Sequence, residues 1–139
     1  MHGINFEKEA IKVYQILTKN KVTFPKKLFV CSKYPWIKGK VDGIVNNDTI
    51  LEVKCPLRDP CPNFWILKKH WDQCQRYMYL LDFQKTHFVE YYRKYDDDVY
   101  LRWKTIRRSP FWIEEAIIKK NKKDEGIARK TLQERQTGI

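Results

Sequence analysis

The fold is decided by the stretch VDGIVNNDTILEVKC, residues 41–55. Two runs rich in β-branched residues flank the polar turn at residues 46–48, and this pattern predicts two antiparallel strands. Successive side chains alternate between the faces of a strand, so Glu52 and Lys54 share one face while the apolar residues between them point to the other. An acid and a base therefore lie together on one side of the predicted hairpin.

The length of the turn decides what faces Glu52. A three-residue loop at 46–48 pairs Val45 with Thr49 and places Asp42 directly opposite Glu52. Two opposed carboxylates repel each other, but a divalent cation between them turns the repulsion into affinity. Mg²⁺ is a hard ion that takes one or two carboxylates and keeps several waters. A two-residue loop would place Asp42 on the wrong face, so the metal hypothesis depends on this register.

A metal held by two acids, with the Lys54 ammonium beside it, suits phosphodiester hydrolysis. The ion lowers the pKa of a bound water and neutralises the phosphate, while Lys54 orients the hydroxide and offsets transition-state charge. Alternating charges are also common on the solvated face of a hairpin, so Glu52-x-Lys54 alone is a weak signal.

The apolar spacing predicts the elements around this hairpin. We expect helices at 5–17, 63–81 and 110–120, a small meander of strands at 27–31, 37–45 and 49–55, and strands at 86–92 and 99–104. The predicted buried stripe of the first helix is Phe6, Ala10, Val13 and Leu17, and that of the second is Phe64, Leu67, Trp71, Cys74, Met78 and Leu81. The order αβββαββα predicts an α/β (α+β) fold with a mixed central β-sheet flanked by helices. On the second helix, Gln73 and Tyr77 lie four residues apart beside the buried stripe and can reach together over the sheet.

Composition limits the function classes. The chain has 139 residues and a net charge of +11, which favours a polyanionic partner, with nucleic acid ahead of an acidic membrane. It lacks a membrane-spanning run and a secretory leader, so we expect an intracellular protein that is not secreted. The four cysteines lack zinc-finger or cluster spacing and are expected to be reduced. Residues 1–120 form the predicted catalytic domain, and residues 121–139 a basic tail that is either a frayed helix or an arm.

Four motifs in order resemble the PD-(D/E)XK nuclease superfamily, and within it the phage-lambda-exonuclease-like, or YqaJ-type, viral recombinase group. They are GINFEKEA at 3–10, YPW at 34–36 with VDG at 41–43, LEVKCP at 51–56, and HWDQCQRYMYL at 70–80. The last motif also resembles the Q-x-x-x-Y motif of RecB-like nucleases. The resemblance implies a restriction-endonuclease-like core.

The resemblance also implies residue roles. Glu7, Asp42, Glu52 and the Val53 carbonyl would hold Mg²⁺, for which Mn²⁺ can substitute; Asp42, Glu52, Lys54 and Gln73 would be catalytic; Tyr77, Trp36 and Lys40 would contact substrate. Lys40-Val41 stand where the family usually has Ser-Pro. The chain begins almost at the first-helix motif, ahead of which lambda-type exonucleases carry a segment that helps bind the DNA end, so end recognition and processivity do not follow from the resemblance.

The leading hypothesis is a Mg²⁺-dependent 5′–3′ exonuclease that acts on duplex DNA ends in recombination or viral DNA processing. The resemblance further implies a ring-shaped homotrimer and a single-strand annealing protein as partner. One alternative is a RecB- or Cas4-like single-strand or structure-specific nuclease. Another is a non-catalytic nucleic-acid-binding module in which Trp36, Trp65 or Trp103 stacks on bases.

Overall fold

A computed structural model describes residues 6–95 and 97–137, with side chains as far as residue 125. The elements follow in the order α1 (Glu7–Thr18), β1 (Val22–Thr23), β2 (Phe29–Val30), β3 (Lys38–Gly39), β4 (Gly43–Val45), β5 (Thr49–Lys54), α2 (Lys68–Leu81), β6 (Lys85–Tyr95), β7 (Asp98–Arg107) and α3 (Trp112–Thr137). None of the described helices is long and apolar enough to cross a membrane. The four cysteines are free, as predicted.

The main sheet is mixed, which confirms the predicted fold class. Its five strands lie in the order β1-β4-β5-β6-β7. The central β5 and β6 are parallel, and the other neighbours are antiparallel. The helical α2 provides the crossover that a parallel connection requires.

The predicted three-strand meander is wrong. The segment predicted as one strand at 37–45 is divided, because β3 pairs with β2 in a separate two-stranded sheet while β4 pairs with β5. The chain bends at Asp42, whose side chain bonds to β5 instead of continuing the ladder. Strand β1 was not predicted, because two residues are too short to show an alternating pattern.

The turn between β4 and β5 has the predicted length and register. Val45 pairs with Thr49, and Gly43 pairs with Leu51. Asn46 and Asn47 have φ angles of 51° and 66°, the left-handed region that Asn tolerates better than most residues. The ladder ends at Gly43, and Asp42, which was predicted to lie directly opposite Glu52, bonds instead to the Val53 N–H.

Two apolar clusters cover the two faces of the sheet. On one face, Ala10, Ile11 and Tyr14 of α1 pack with Leu51 and Val53 of β5. The predicted α1 stripe is partly wrong, because Leu17 is 59% exposed while Ile11 and Tyr14 are buried. A hydrogen bond between the Tyr14 hydroxyl and Nδ1 of His87 fixes this side of the helix against β6.

The second cluster covers the opposite face of the sheet. Cys74 and Met78 of α2 pack there with Ile50, Phe88 and Ile106. The helix begins at Lys68 and not at residue 63, and Leu67, which was predicted as buried, is 55% exposed. Two β7 side chains bond to the backbone ahead of the helix: Arg102 Nη1 donates to the Pro62 carbonyl (3.3 Å) and Lys104 Nζ to the Phe64 carbonyl (3.2 Å).

The chain divides into two compact units, Met1–Arg108 and Ser109–Ile139. In the second unit α3 runs from Trp112 to Thr137, so the tail predicted as a frayed helix or an arm is helical as far as residue 137. The predicted boundary between residues 120 and 121 lies inside this helix. Lys120 and Asp124 form an ion pair of 3.3 Å on one of its turns.

Candidate active site

The candidate site lies at the carboxyl end of β5, where this strand emerges from the apolar clusters. Glu52 is 3% exposed, although a buried carboxylate is costly unless it has partners. Its Oε1 lies 3.1 Å from Nζ of Lys54. Its Oε2 is buried and accepts no hydrogen bond from any residue in the described part of the chain. One oxygen of this carboxylate is thus held by a lysine, and the other is without a donor.

The environment of Glu52 opposes its negative charge. Burial raises the pKa of the Glu52 carboxyl to about 8, with a further increase from the neighbouring Asp42 charge. The Lys54 ammonium lowers that pKa, but by less than burial raises it. Burial thus disfavours the ionised form of Glu52 more than Lys54 favours it.

Asp42 lies against the same strand. Its Oδ2 accepts a 2.7 Å hydrogen bond from the Val53 N–H, which fixes the carboxylate beside Glu52. The Val53 side chain points to the α1 face and is buried there. The role of the Val53 carbonyl as a metal ligand stays a prediction.

Glu7, the first residue of α1, brings a third acid to this place. Burial raises the pKa of Glu7, and the charge of Asp42 together with a hydrogen bond to Asp42 raises it further. The thiol of Cys55 lies close to the same acids, since its pKa is raised to about 11 by burial first and then by the charges of Glu7 and Asp42. Glu7, Asp42 and Glu52 thus come from three separate segments and lie near one another, and their joint role as metal ligands, which the resemblance implies, stays a prediction.

A hydrogen-bonded chain leads from the acids to α2. Lys54 Nζ donates to Oε1 of Gln73 at 3.0 Å, and Gln73 Nε2 donates to the Tyr77 hydroxyl at 2.9 Å. Tyr77 packs so closely against Gly39 that a β-carbon at Gly39 would overlap the tyrosine ring. Gln73 and Tyr77 therefore reach over the sheet together, as their spacing predicts, and orient Lys54.

Two predicted substrate contacts are exposed side chains. Trp36 packs on Tyr34 with the ring centroids 6.0 Å apart, and Lys40 is exposed. Within the described residues, neither forms a hydrogen bond, an ion pair or a ring contact with the acidic cluster. Their role in substrate binding stays a prediction.

The contacts that hold α1 in place were not predicted from the sequence. Glu9 receives hydrogen bonds from Arg93 Nη2 (2.6 Å) and from the Tyr91 hydroxyl, both on β6. The bond from Tyr91 and then those from Arg93 lower the pKa of Glu9. Because Glu7 and Glu9 share the first helical turn, this anchor also positions Glu7. Acids are common at helix N-termini, so nothing in the sequence distinguishes Glu9 from an acid without this role.

The donors fit a hard divalent cation. Among the described residues, no group of three His, Cys, Asp or Glu side chains is arranged to hold a metal ion. Mg²⁺, however, typically takes only one or two protein carboxylates and completes its shell with water and substrate phosphate. Glu52 Oε2, which accepts no hydrogen bond within the described residues, and the adjacent Asp42 carboxylate would be those two donors.

Solved structures share this fold. The crystal structure of an alkaline exonuclease, LHK-Exo, from Laribacter hongkongensis superposes with a TM-score of 0.62 and 23% identity, covering 92% of this chain and 71% of that chain. The structure of LHK-Exo in complex with dAMP gives a TM-score of 0.64 at 23% identity with the same coverage. The chain thus has the fold of these alkaline exonuclease structures.

The family is established by sequence. No curated protein matches the chain. Residues 1–85, more than half of the chain, match the YqaJ-like viral recombinase domain. The chain belongs to this family, as the resemblance in its four motifs predicts.

Proposed function

We propose that this protein is a Mg²⁺-dependent deoxyribonuclease that hydrolyses phosphodiester bonds, acting as a 5′–3′ exonuclease on duplex DNA ends. The observation that carries the proposal is the buried Glu52, bonded through one oxygen to Lys54 and without a donor on the other, beside Asp42. Membership of a viral recombinase family and the fold of an alkaline exonuclease support it.

In this proposal each residue has a distinct task. Asp42 and Glu52 would hold Mg²⁺, with Glu7 beside Asp42 and the Val53 carbonyl as further candidate ligands. When bound, the ion lowers the pKa of a water and neutralises phosphate charge. Mn²⁺ would substitute for Mg²⁺, because it accepts the same oxygen ligands.

Lys54 contributes the positive charge of the chain itself. Gln73 holds its ammonium at 3.0 Å and Glu52 holds it at 3.1 Å, so Lys54 is oriented before DNA arrives. A preorganised cation stabilises the negative charge that develops on the phosphate without reorganisation during the reaction. Gln73, itself bonded to Tyr77, is a positioning residue for this ammonium.

The experiment compares blunt linear duplex, flap and covalently closed circular DNA, each with Mg²⁺ and with EDTA. An exonuclease degrades the linear duplex only with Mg²⁺ and leaves the circle intact. Duplexes labelled at the 5′ or the 3′ end determine the polarity. Cutting of the circle or of the flap alone would favour the structure-specific nuclease, and DNA binding without hydrolysis would favour the non-catalytic module.

Lys54→Ala tests the assignment of roles. We expect a loss of hydrolysis of about 100- to 1,000-fold, the effect of removing one preorganised electrostatic group. Lys12→Ala, an exposed lysine on α1, is the matched control and should retain activity. Unchanged digestion by Lys54→Ala would contradict the assignment.

The assembly implied by the resemblance stays a separate proposal. Light scattering of the purified chain would give the mass of a homotrimer or of a monomer. Pull-down with a single-strand annealing protein would test that partner. Neither outcome alters the chemistry proposed for Glu52 and Lys54.

A further inference from the structure

A pocket of about 320 Å³ is lined by Lys54 and by Cys55 and Pro56, which follow it. Phe88 and Glu90 on β6 also line it. The two strands are parallel, and Lys54, the last residue of β5, pairs with Glu90, which lies midway along β6. The pocket thus lies where β5 ends and β6 continues.

The far wall of the pocket is apolar and open to solvent. It is formed by Trp65, which is 73% exposed, and by Leu67, which is 55% exposed. Exposed aromatic rings beside a cation are the surfaces on which the bases of single-stranded nucleic acid stack. The ring of His70 lies over Phe88 with centroids 5.7 Å apart and also lines the pocket.

The backbone that presents Trp65 is fixed. Arg102 donates to Glu90 from Nε at 2.7 Å and also stacks on Phe64, with its guanidinium carbon 4.3 Å from the ring centroid. Lys104 holds the Phe64 carbonyl, and the Trp65 N–H donates to Asn63 O at 2.9 Å. The same arginine that neutralises Glu90 therefore anchors the residue preceding Trp65.

We propose that this pocket binds one unpaired nucleobase of the DNA strand being cut, with the base against Trp65 and its phosphate toward Lys54. The orientation follows from the charges, because Lys54 is the one lysine or arginine among the described residues that line the pocket, whereas Trp65 and Leu67 are apolar. A base in the interior of a duplex has no free face for an indole, so the pocket takes a nucleotide that has left the stack.

The inference rests on the proposed function for the phosphate next to Lys54, but its chemistry is separate. A volume of 320 Å³ is at the lower end of the range for small-molecule sites, which suits one base and its sugar. Stacking on an aromatic ring accepts any base, so we expect no sequence preference.

The test measures stacking without hydrolysis. The probe is a short single-stranded oligonucleotide with one 2-aminopurine, in EDTA, compared with an oligonucleotide of the same length that carries abasic sites. Wild type should bind the base-bearing strand more tightly and quench its 2-aminopurine fluorescence. Trp65→Ala should bind it about 5- to 100-fold more weakly, without quenching, while its weak binding to the abasic strand stays unchanged.

Matched variants separate stacking from folding. Trp65→Phe keeps a flat ring and should retain most of the binding, whereas Trp65→Leu keeps apolar area without a π-face and should behave like Trp65→Ala. Leu57→Ala changes a side chain of the same loop that is 97% exposed and does not line the pocket, and it should match wild type.

The outcomes distinguish the two proposals. If Trp65→Ala binds and quenches like wild type, or if wild type binds both strands equally, the pocket assignment is overturned even when Mg²⁺-dependent hydrolysis is present. If base-dependent quenching requires Trp65 but wild type hydrolyses no DNA with Mg²⁺, the nuclease proposal falls and the base site stands. In an active enzyme, Trp65→Ala should raise KM more than it lowers kcat.

Discussion

The two faces of β5 are built from alternate residues of one short strand, and they differ in what they bury. Leu51 and Val53 enter a wholly apolar cluster under α1. Ile50 enters an apolar cluster under α2, but two residues further on the same face carries Glu52, and then Lys54. One face is therefore optimised for packing, while the other gives up packing to hold a charge.

The contrast between the two faces shows where the fold accommodates a buried carboxylate. Burial raises the pKa of Glu52 to about 8, so its ionised form weakens the folded state in the absence of a cation. The continuous cluster on the opposite face offsets that cost. Functional sites commonly give up local stability in this way.

The largest expected effect is on the apolar face. Leu51→Ala removes a side chain with 0% exposure and should lower the free energy of unfolding by about 2–5 kcal/mol. Urea denaturation measures it, and Leu57→Ala on the exposed loop should change little. An effect below 1 kcal/mol for Leu51→Ala would mean that this face is not the stabilising one.

The neighbouring residue should respond in the opposite way. Glu52→Gln keeps the shape but loses the charge for the metal, so hydrolysis should fall about 100- to 1,000-fold. Its metal-free stability above pH 8 should equal or exceed that of wild type, since a buried anion has been removed. The paired measurements are DNA digestion and urea denaturation. If Glu52→Gln retained activity, or lost as much free energy of unfolding as Leu51→Ala, the proposed difference between the two faces of β5 would be wrong.

The pH dependence of stability tests the same difference between the two faces of β5. The Glu52 carboxyl has a pKa of 4.5 in its ordinary environment and about 8 in the fold, so the folded protein binds more protons between these values. Stability from this group is present below pH 4.5 and is lost as the pH rises through about 8, with a slope of up to about 1.4 kcal/mol per pH unit. Denaturation in EDTA from pH 5 to 9 should show this decline in wild type and a flatter curve in Glu52→Gln. Equal slopes would contradict the assigned cause.

Added Mg²⁺ should restore the stability that the folded protein loses as the pH rises. Because Mg²⁺ requires an ionised Glu52, its addition should stabilise wild type more at pH 8 than at pH 6. Glu52→Gln should gain much less, since one of its two proposed ligands is neutral. An equal gain in both proteins would place the ion elsewhere.

The smallest effect is expected at the far end of the hydrogen-bonded chain. Tyr77→Phe removes the acceptor of the 2.9 Å bond from Gln73 and should cost about 0.5–1.5 kcal/mol of stability, with a several-fold drop in activity. Tyr95→Phe, at a side chain that is 68% exposed, is the control. A loss of activity as large as that of Lys54→Ala would make Tyr77 a catalytic residue and not a positioning residue.

The register of the hairpin could be predicted from the sequence alone. Alternation along 49–54 and the polar turn at 46–48 predict the pairing of Val45 with Thr49, because period-two patterns and turn length are local properties. The bend at Asp42 and its bond to the Val53 N–H could not be predicted in this way. The resemblance to the family motifs predicted that Glu7 and Gln73 belong to the same site. No local pattern relates residues so far apart along the chain. The spacing of Gln73 and Tyr77 was likewise local, since residues four apart share one face of a helix.

The remaining features depend on contacts between segments that are distant along the chain. The bonds from Arg102 and Lys104 to the segment before α2 come from β7, a strand that follows the helix in the chain. The anchor of Glu9 on Arg93 and the exposure of Trp65 beside Lys54 arise from contacts between distant segments. Such contacts leave no periodic trace in the sequence, since the free energy that favours them exists only when the sheet has brought both segments together.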